Sequence, residues 1–415
     1  MKPSTPTPRS VFWPMSGTYL LGVFNDNFFK EAAILMAFAA GMSELQSPII
    51  KYFSIPFILF SAFAGYFADR FAKRNVVIAS KYLELFAMGL GAVGVVTQNF
   101  PLIIAMVFLM ALQSTLFGPA LNGSIPELFK KTDVPRINAL LKMITTVSII
   151  IGIVLAGVVL DINIGALAIR PTTILAGVIL SVAVLGVVLS HRLTRNTTVQ
   201  PNTSARFPWR GPVQSVADAI SLRHCPKLLK ALLGSTFFYF ASTMVLAAIH
   251  ELCLTDLSFS NTFTSALTGI VAIGVATGSL FSIRLSKRFT YEQIFTPAVL
   301  AFGIALMSAA AVGISPLAGA KVHLGITLFL SGAFGGLFLI PLLTFIQVTP
   351  DAGEKGKVIG INNFLDFSGI FLAGELFGWL HPTFCAASLI LWTGIAGIAI
   401  AIGFGITSNR EKCHA

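Results

Sequence analysis

The chain has 415 residues, of which 55% are hydrophobic and only 11% charged, and its net charge is +11. Soluble domains carry about 25% charged residues, so composition excludes a soluble globular enzyme, a disordered chain and a collagen-like fibre. An outer-membrane barrel is excluded too. Its strands read as alternating segments of about ten residues, whereas the apolar runs here, such as 20–41, 76–96 and 384–406, are long and nearly continuous. What remains is a polytopic, all-α membrane protein.

Residues 1–14 hold Lys2, Arg9 and four prolines, and the apolar segment after them runs well past a signal-peptide core, so it is read as a retained helix. Twelve spans follow in chain order: 15–41, 48–68, 76–97, 101–121, 136–160, 171–190, 229–252, 263–284, 293–313, 322–347, 357–380 and 384–407. Each is long enough, or nearly so, to cross about 30 Å of hydrocarbon.

Charge tests the count. With the N-terminus inside, 23 of the 28 Lys and Arg fall in or beside alternate loops and tails. Three (Lys51, Arg170, Lys321) fall on the other side, and Lys30 and Lys142 lie within spans. Such one-sidedness is the positive-inside pattern and places both termini in the cytoplasm. It also accounts for the net charge without nucleic acid.

The longest polar stretch, 191–228, divides the chain into residues 1–190 and 229–415, six spans each. The halves echo each other. Arg70, Lys73 and Arg74 after span 2 match Arg284, Lys287 and Arg288 after span 8 at a constant offset of 214. Parallel repeats of this kind build many secondary transporters. Cys225, Cys253, Cys385 and Cys413 have no CxxC or zinc spacing. His250-Glu251 and His323 read as exposed or interfacial, so no metal and no cofactor is expected. No nucleophile–base set or phosphate-cradling glycine loop stands out.

Gly65, Asp69, Arg70 and Arg74, spaced GxxxDRxxxR between two spans, resemble the signature loop of the major facilitator superfamily. Gly65 is expected to let span 2 approach a neighbour. Asp69, Arg70 and Arg74 are expected to form a charge clasp that holds one orientation of the halves. The resemblance implies twelve transmembrane helices in two pseudo-symmetric six-helix bundles.

Gly22-Val-Phe-Asn25-Asp26-Asn27-Phe-Phe-Lys30 is similar to the opening of bacterial lysophospholipid transporters, a family that includes domains fused to acyltransferase and acyl-acyl-carrier-protein synthetase. Phe117-Gly118-Pro119-Ala120, Asn138-Ala139, Gly335-Gly336, and Asn362-Asn363 with Asp366 agree with it. Two positions depart: Leu121 stands where members often have Lys, and residues 238–249 lack the Arg that some carry in span 7. The chain ends at Ala415, and no acyltransferase or synthetase domain is expected within it.

An ionisable residue inside a span faces the bundle interior, pairs, or lines a wet cavity. Asp26 and Lys30, four apart on one helical face, either receive a zwitterion, carboxylate to ammonium and lysine to phosphate, or neutralise each other. Asn27 lies beside them, and Asn25 and Glu31 are rotated away. Lys142 and Asp366, with Asn363, either form a second charge pair at a cavity wall or serve as a snorkelling lysine and a structural hydrogen bond. Glu84 is expected to pair with Lys81 at the cytoplasmic end or to couple ions. Glu375 is expected to couple protons or to pair near the outer mouth.

The implied activity is non-enzymatic movement of lysophospholipids between leaflets of the cytoplasmic membrane, with membrane lipids and a separate acyltransferase or synthetase as partners. A proton-coupled carrier of a small polar or amphipathic solute is the first alternative. A non-transporting scaffold for an acyltransferase is the second.

Overall fold

A computed structural model describes residues 8–129, 134–162, 170–193, 207–314, 319–349 and 355–413. Among them are thirteen α-helices and no β-strand. The helices are α1 (Pro8–Ala39), α2 (Gln46–Arg70), α3 (Lys73–Thr97), α4 (Phe100–Leu128), α5 (Val134–Asp161), α6 (Pro171–His191), α7 (Gly211–Ser221), α8 (Pro226–Glu251), α9 (Asn261–Leu285), α10 (Tyr291–Ile314), α11 (Ala320–Val348), α12 (Lys355–Leu380) and α13 (Ala386–Cys413).

All twelve expected spans are present as helices. The addition is α7, which lies inside the stretch read from sequence as a loop. Among the described residues, ten helices are long and apolar enough to cross a membrane by length and composition alone. The long helices outside that set are α1 and α12, which carry the polar runs Asn25-Asp26-Asn27, Lys30-Glu31 and Asn362-Asn363 with Asp366 and Glu375.

Local signals set the ends. Asn99 caps α4, its side chain accepting from the Leu102 N–H at 3.2 Å, with Pro101 in the first turn. Ser260 caps α9 through the Phe263 N–H at 3.2 Å. Pro171 and Pro226 open α6 and α8, where a missing N–H costs nothing. Gln98 closes α3 in the left-handed conformation at φ 54°.

The chain divides into two compact units, Met1–Ile34 with Tyr52–Gln214, and Leu35–Lys51 with Ser215–Ala415. In the first, α3 packs on α4 and α6. Gly152 of α5 lies against α1, where a Cβ would stand 2.9 Å from the Phe24 carbonyl oxygen. In the second, α9 packs on α11, α10 on α11 and α13, and α8 on α12. Gly369 of α12 lies against α8 as Gly152 lies against α1, a Cβ there standing 3.0 Å from the Thr236 carbonyl oxygen. The internal repeat is therefore written in packing as well as in loop charge.

The second unit is centred on Phe338, whose ring meets Phe238, Phe295 and Phe302 at 5.6–5.9 Å, all near-perpendicular. These phenylalanines belong to the core of this unit. Beside it α9 and α11 cross at backbone contact. Gly274 and Gly278 on one helix and Gly332 and Gly336 on the other each face main-chain atoms that an added Cβ would overlap. Small residues four apart on both partners permit that approach.

Candidate functional site

The first unit buries a charged cluster around α1 and α3. Lys81 Nζ lies 2.5 Å from Glu84 Oε2, and both side chains have no exposure at all. The pair is three residues apart, so both groups leave the same face of α3. Asn25 of α1 donates from Nδ2 to Glu84 Oε1 and to the Ile179 carbonyl of α6, both at 3.3 Å. Lys81 Nζ also stands 4.6 Å from the centre of the Phe117 ring of α4. The space that Lys81 fills is made by glycine. A Cβ on Gly22 would lie 2.6 Å from Nζ, and one on Gly186 would lie 3.5 Å from Cδ. Four helices thus close around one ion pair, and the 0% exposure means that its attraction acts without water screening.

Next to Asn25 in sequence, Asp26 accepts a hydrogen bond at Oδ2 from the Ser114 hydroxyl of α4. Its other oxygen, Oδ1, is buried and has no hydrogen-bond partner among the described residues. Asp26 also lies in the field of Lys30, Lys81 and Glu84. One turn further on, Lys30 Nζ sits over the Phe53 ring of α2, 4.8 Å from its centre, rather than in an ion pair with Asp26. An aromatic face holds an ammonium without consuming its charge. Asp26 and Lys30 therefore share a face, and Lys30 lies in the field of Glu31 as well as of Asp26.

Asn27 is not part of that pair. It donates to the Val23 carbonyl of its own helix at 2.8 Å. The asparagine that joins α1 to its neighbours is Asn25, fully buried, which the sequence reading had turned away from the site. Glu84 does pair with Lys81 as expected, and the pair is fully buried among helices. Lys81, counted from sequence as a span-edge charge with the adjoining loop, is a buried lysine of α3. Leu121 is 1% exposed, packed in a core with Phe117, Ala120 and Ile125. A lysine at that position would meet apolar groups.

In the second unit, Asp366 of α12 is buried, and it is held by neutral donors. The Ser235 hydroxyl of α8 lies 3.0 Å from Oδ1 and 3.1 Å from Oδ2, and Asn362 Nδ2 donates to Oδ2 at 2.7 Å. Asn362, four residues earlier on the same face, is the partner. Asn363 is exposed instead. The side chain of Lys142 lies outside the described residues. Glu375 forms an ion pair with Lys51 at 2.9 Å and is 47% exposed, so a surface pair describes it.

The signature loop is partly described. The Asp69 side chain lies outside the described residues. A Cβ at Gly65 would meet open space, so among the described residues of its unit no helix presses against it. Arg74 has a definite task. Its Nε and Nη2 donate to the carbonyls of Leu193 and His191, both at 2.8 Å, at the C-terminal end of α6. A cation there meets unpaired carbonyls and the negative end of the helix dipole. Asn25, Ser114, Ser235 and Asn362 are site residues that sequence reasoning did not assign. Helical spacing signals Asn362, but the two serines carry no signal in one sequence.

The family model described as Major Facilitator Superfamily matches residues 9–374. The chain is 26% identical over 397 residues to Lysophospholipid transporter LplT of Klebsiella pneumoniae (strain 342), covering 93% of this chain and 90% of that one. It is 27% identical over 396 residues to the transporter of the same name from Citrobacter koseri, covering 93% and 89%. Among solved structures, the POT family transporter PepTSo matches with TM-score 0.73 at 12% identity, covering 99% of each chain. A bacterial homologue of the human lysosomal transporter Spinster matches with TM-score 0.71 at 12% identity, covering 98% of each. These two likenesses concern the fold.

Proposed function

The chain belongs to the major facilitator superfamily, and on that premise we propose that this transporter carries lysophospholipids across the bacterial cytoplasmic membrane for re-acylation. The relatives named for that cargo align along 93% of the chain. The observation that carries the reading is the state of Asp26 and Lys30. Asp26 keeps Oδ1 without a partner, and Lys30 rests on an aromatic ring one turn away. A zwitterionic head group fits such a pair, its ammonium to Asp26 and its phosphate to Lys30.

In this reading both termini are cytoplasmic, the six-span halves 1–190 and 229–415 rock in the manner of superfamily transporters, and the loop 191–228 joins them. Gly65, Asp69, Arg70 and Arg74 form the switch loop. Lys142 and Asn363 are polar positions along the cargo's path, and an acyltransferase or synthetase acts on the delivered lipid. A second reading, proton-coupled solute transport, is favoured by Asp366, a buried carboxylate whose hydrogen-bond partners are Ser235 and Asn362 and which can therefore be emptied or filled without breaking an ion pair.

Flux of labelled lysophosphatidylethanolamine in proteoliposomes, with and without a pH gradient, tests both. Flux without a gradient, abolished in Asp26→Ala and reduced in Lys30→Ala, is the expected result. Parental flux in both variants would refute the assigned site. Absence of lysolipid flux in the parent would refute the cargo, and a strict need for the gradient would favour the second reading.

A further inference from the structure

The helix α7, between the sixth and seventh spans, has three distinct faces. Val213, Val216 and Ile220 recur at spacings of three and four, and all are exposed, at 68%, 44% and 59%. Trp209, one turn before, continues the stripe at 84% exposure. Gln214 and Ser221 are exposed on a second face. Ala219 and Leu222, on a third, pack against the core of the second unit. A helix touching only protein and water has no use for three faces, since its apolar stripe is left bare. A helix lying flat in a membrane interface uses all of them.

The depth of its first turn is fixed by contacts within the first unit. A Cβ on Gly211 would stand 2.8 Å from the Ala62 Cβ of α2. The Phe207 ring meets Phe63 and Tyr66, each at 5.2 Å between centres, and Trp209 at 4.6 Å. Ala62 lies eight residues before the last residue of α2, Arg70, or about 12 Å along a helix axis. The start of α7 is thus held beside the last turns of a spanning helix and not out in bulk water. The aromatic group Phe207, Trp209 and Tyr66 is of the kind that collects at membrane–water interfaces.

Charge names the surface. Residues 206–230 contain Arg206, Arg210, Arg223, Lys227 and Lys230 against the single acid Asp218, and Arg210 and Lys227 are exposed. Basic residues flanking an apolar stripe match an anionic leaflet.

We propose that α7 is an in-plane anchor that seats Trp209, Val213, Val216 and Ile220 at the acyl boundary of the leaflet next to it, with Arg210 and Lys227 on anionic lipid head groups. Its function is to bind the anionic lipid surface of the transporter's own membrane, whatever the cargo.

Trp209 is the probe. Trp13, Trp379 and Trp392 are 67%, 76% and 62% exposed, so replacing all three with Phe leaves no core void and gives a full-length chain with one tryptophan. The protein is placed in phosphatidylcholine vesicles with or without phosphatidylglycerol, carrying bromine on upper acyl carbons. Expected are blue-shifted Trp209 emission, strong quenching by the brominated lipid, weak quenching by aqueous iodide, and deeper quenching with phosphatidylglycerol than without. Arg210→Gln with Lys227→Gln should erase that difference, and Val213→Gln with Ile220→Gln should raise iodide quenching several-fold. Emission quenched by iodide and untouched by bromine would overturn the proposal and leave the stripe to a soluble partner. Quenching indifferent to phosphatidylglycerol would overturn the role given to charge. Hydrogen exchange at α7, protected in vesicles and not in detergent, checks the same placement without any substitution.

Discussion

Removing either member of the Lys81–Glu84 pair should be among the most damaging single changes in the first unit. Both side chains are 0% exposed and Nζ to Oε2 is 2.5 Å. Breaking a buried pair by deleting one partner strands the other charge, at a cost of about 3–5 kcal/mol. Lys81→Met in addition forfeits the contact with Phe117, worth about 2 kcal/mol where no water competes. Replacing both, Lys81→Met with Glu84→Leu, removes both charges together and should cost less than either single change, since apolar substitutes for a buried pair are often neutral or better. Asn25 would lose Glu84 yet keep the Ile179 carbonyl. The measurement is a double-mutant cycle on reversible unfolding in mixed micelles titrated with a denaturing detergent, followed by circular dichroism. A coupling energy of several kcal/mol is expected. Single variants each within about 0.5 kcal/mol of the parent, the range of ordinary surface changes, would show that water reaches the pair and would refute the closed cluster described above.

Gly278→Ala places a methyl group on the Ala333 main chain, so a loss of about 1–3 kcal/mol or more is expected. Gly89→Ala, with open space around its Cβ, is the neutral control in the same thermal assay. Lys51→Ala should cost less than about 1 kcal/mol, because Glu375 is 47% exposed, and the effect should fade with added salt. Asp366→Ala leaves Ser235 and Asn362 without their acceptor and should destabilise by about 1–3 kcal/mol, whereas Asp366→Asn retains the acceptor and most of the stability. Comparing transport by those two variants separates structural loss from loss of a titrating group.

The spans were legible because they are long and apolar, and helix ends carry readable marks such as Asn99 with Pro101, or Ser260. The short helix α7 was not, because at eleven residues its stripe of Val213, Val216 and Ile220 hides among polar and proline-rich neighbours. Asp26 and Lys30 were legible as costly charges on one face, but their partners were not. Ser114 and Phe53 come from other helices, and helical periodicity says nothing about which helix stands opposite. Gly65 misled because small residues permit close approach without requiring it. Asn363 misled in the same way: it and Asn362 are both near neighbours of Asp366 along the helix, and only packing decides which one turns inward. Counting Lys81 with the adjoining loop charge follows from its place near the start of its span, eight residues into α3 or about 12 Å of helix, and only packing shows it buried.

The spacing of Lys81 and Glu84 also bears on how the chain enters the bilayer. Spans are laid into lipid in order, and α3 arrives before α4 and α6, which later surround it. A lone lysine at that depth would resist insertion. Its counter-charge, however, travels on the same helix one turn away, so α3 can present a self-neutralised segment before any other partner exists. Asp366 meets a helix already in place, for Ser235 on α8 is made earlier. Asp26 must wait for Ser114 on α4, three helices later, so the final seating of α1 depends on chain still to be synthesised.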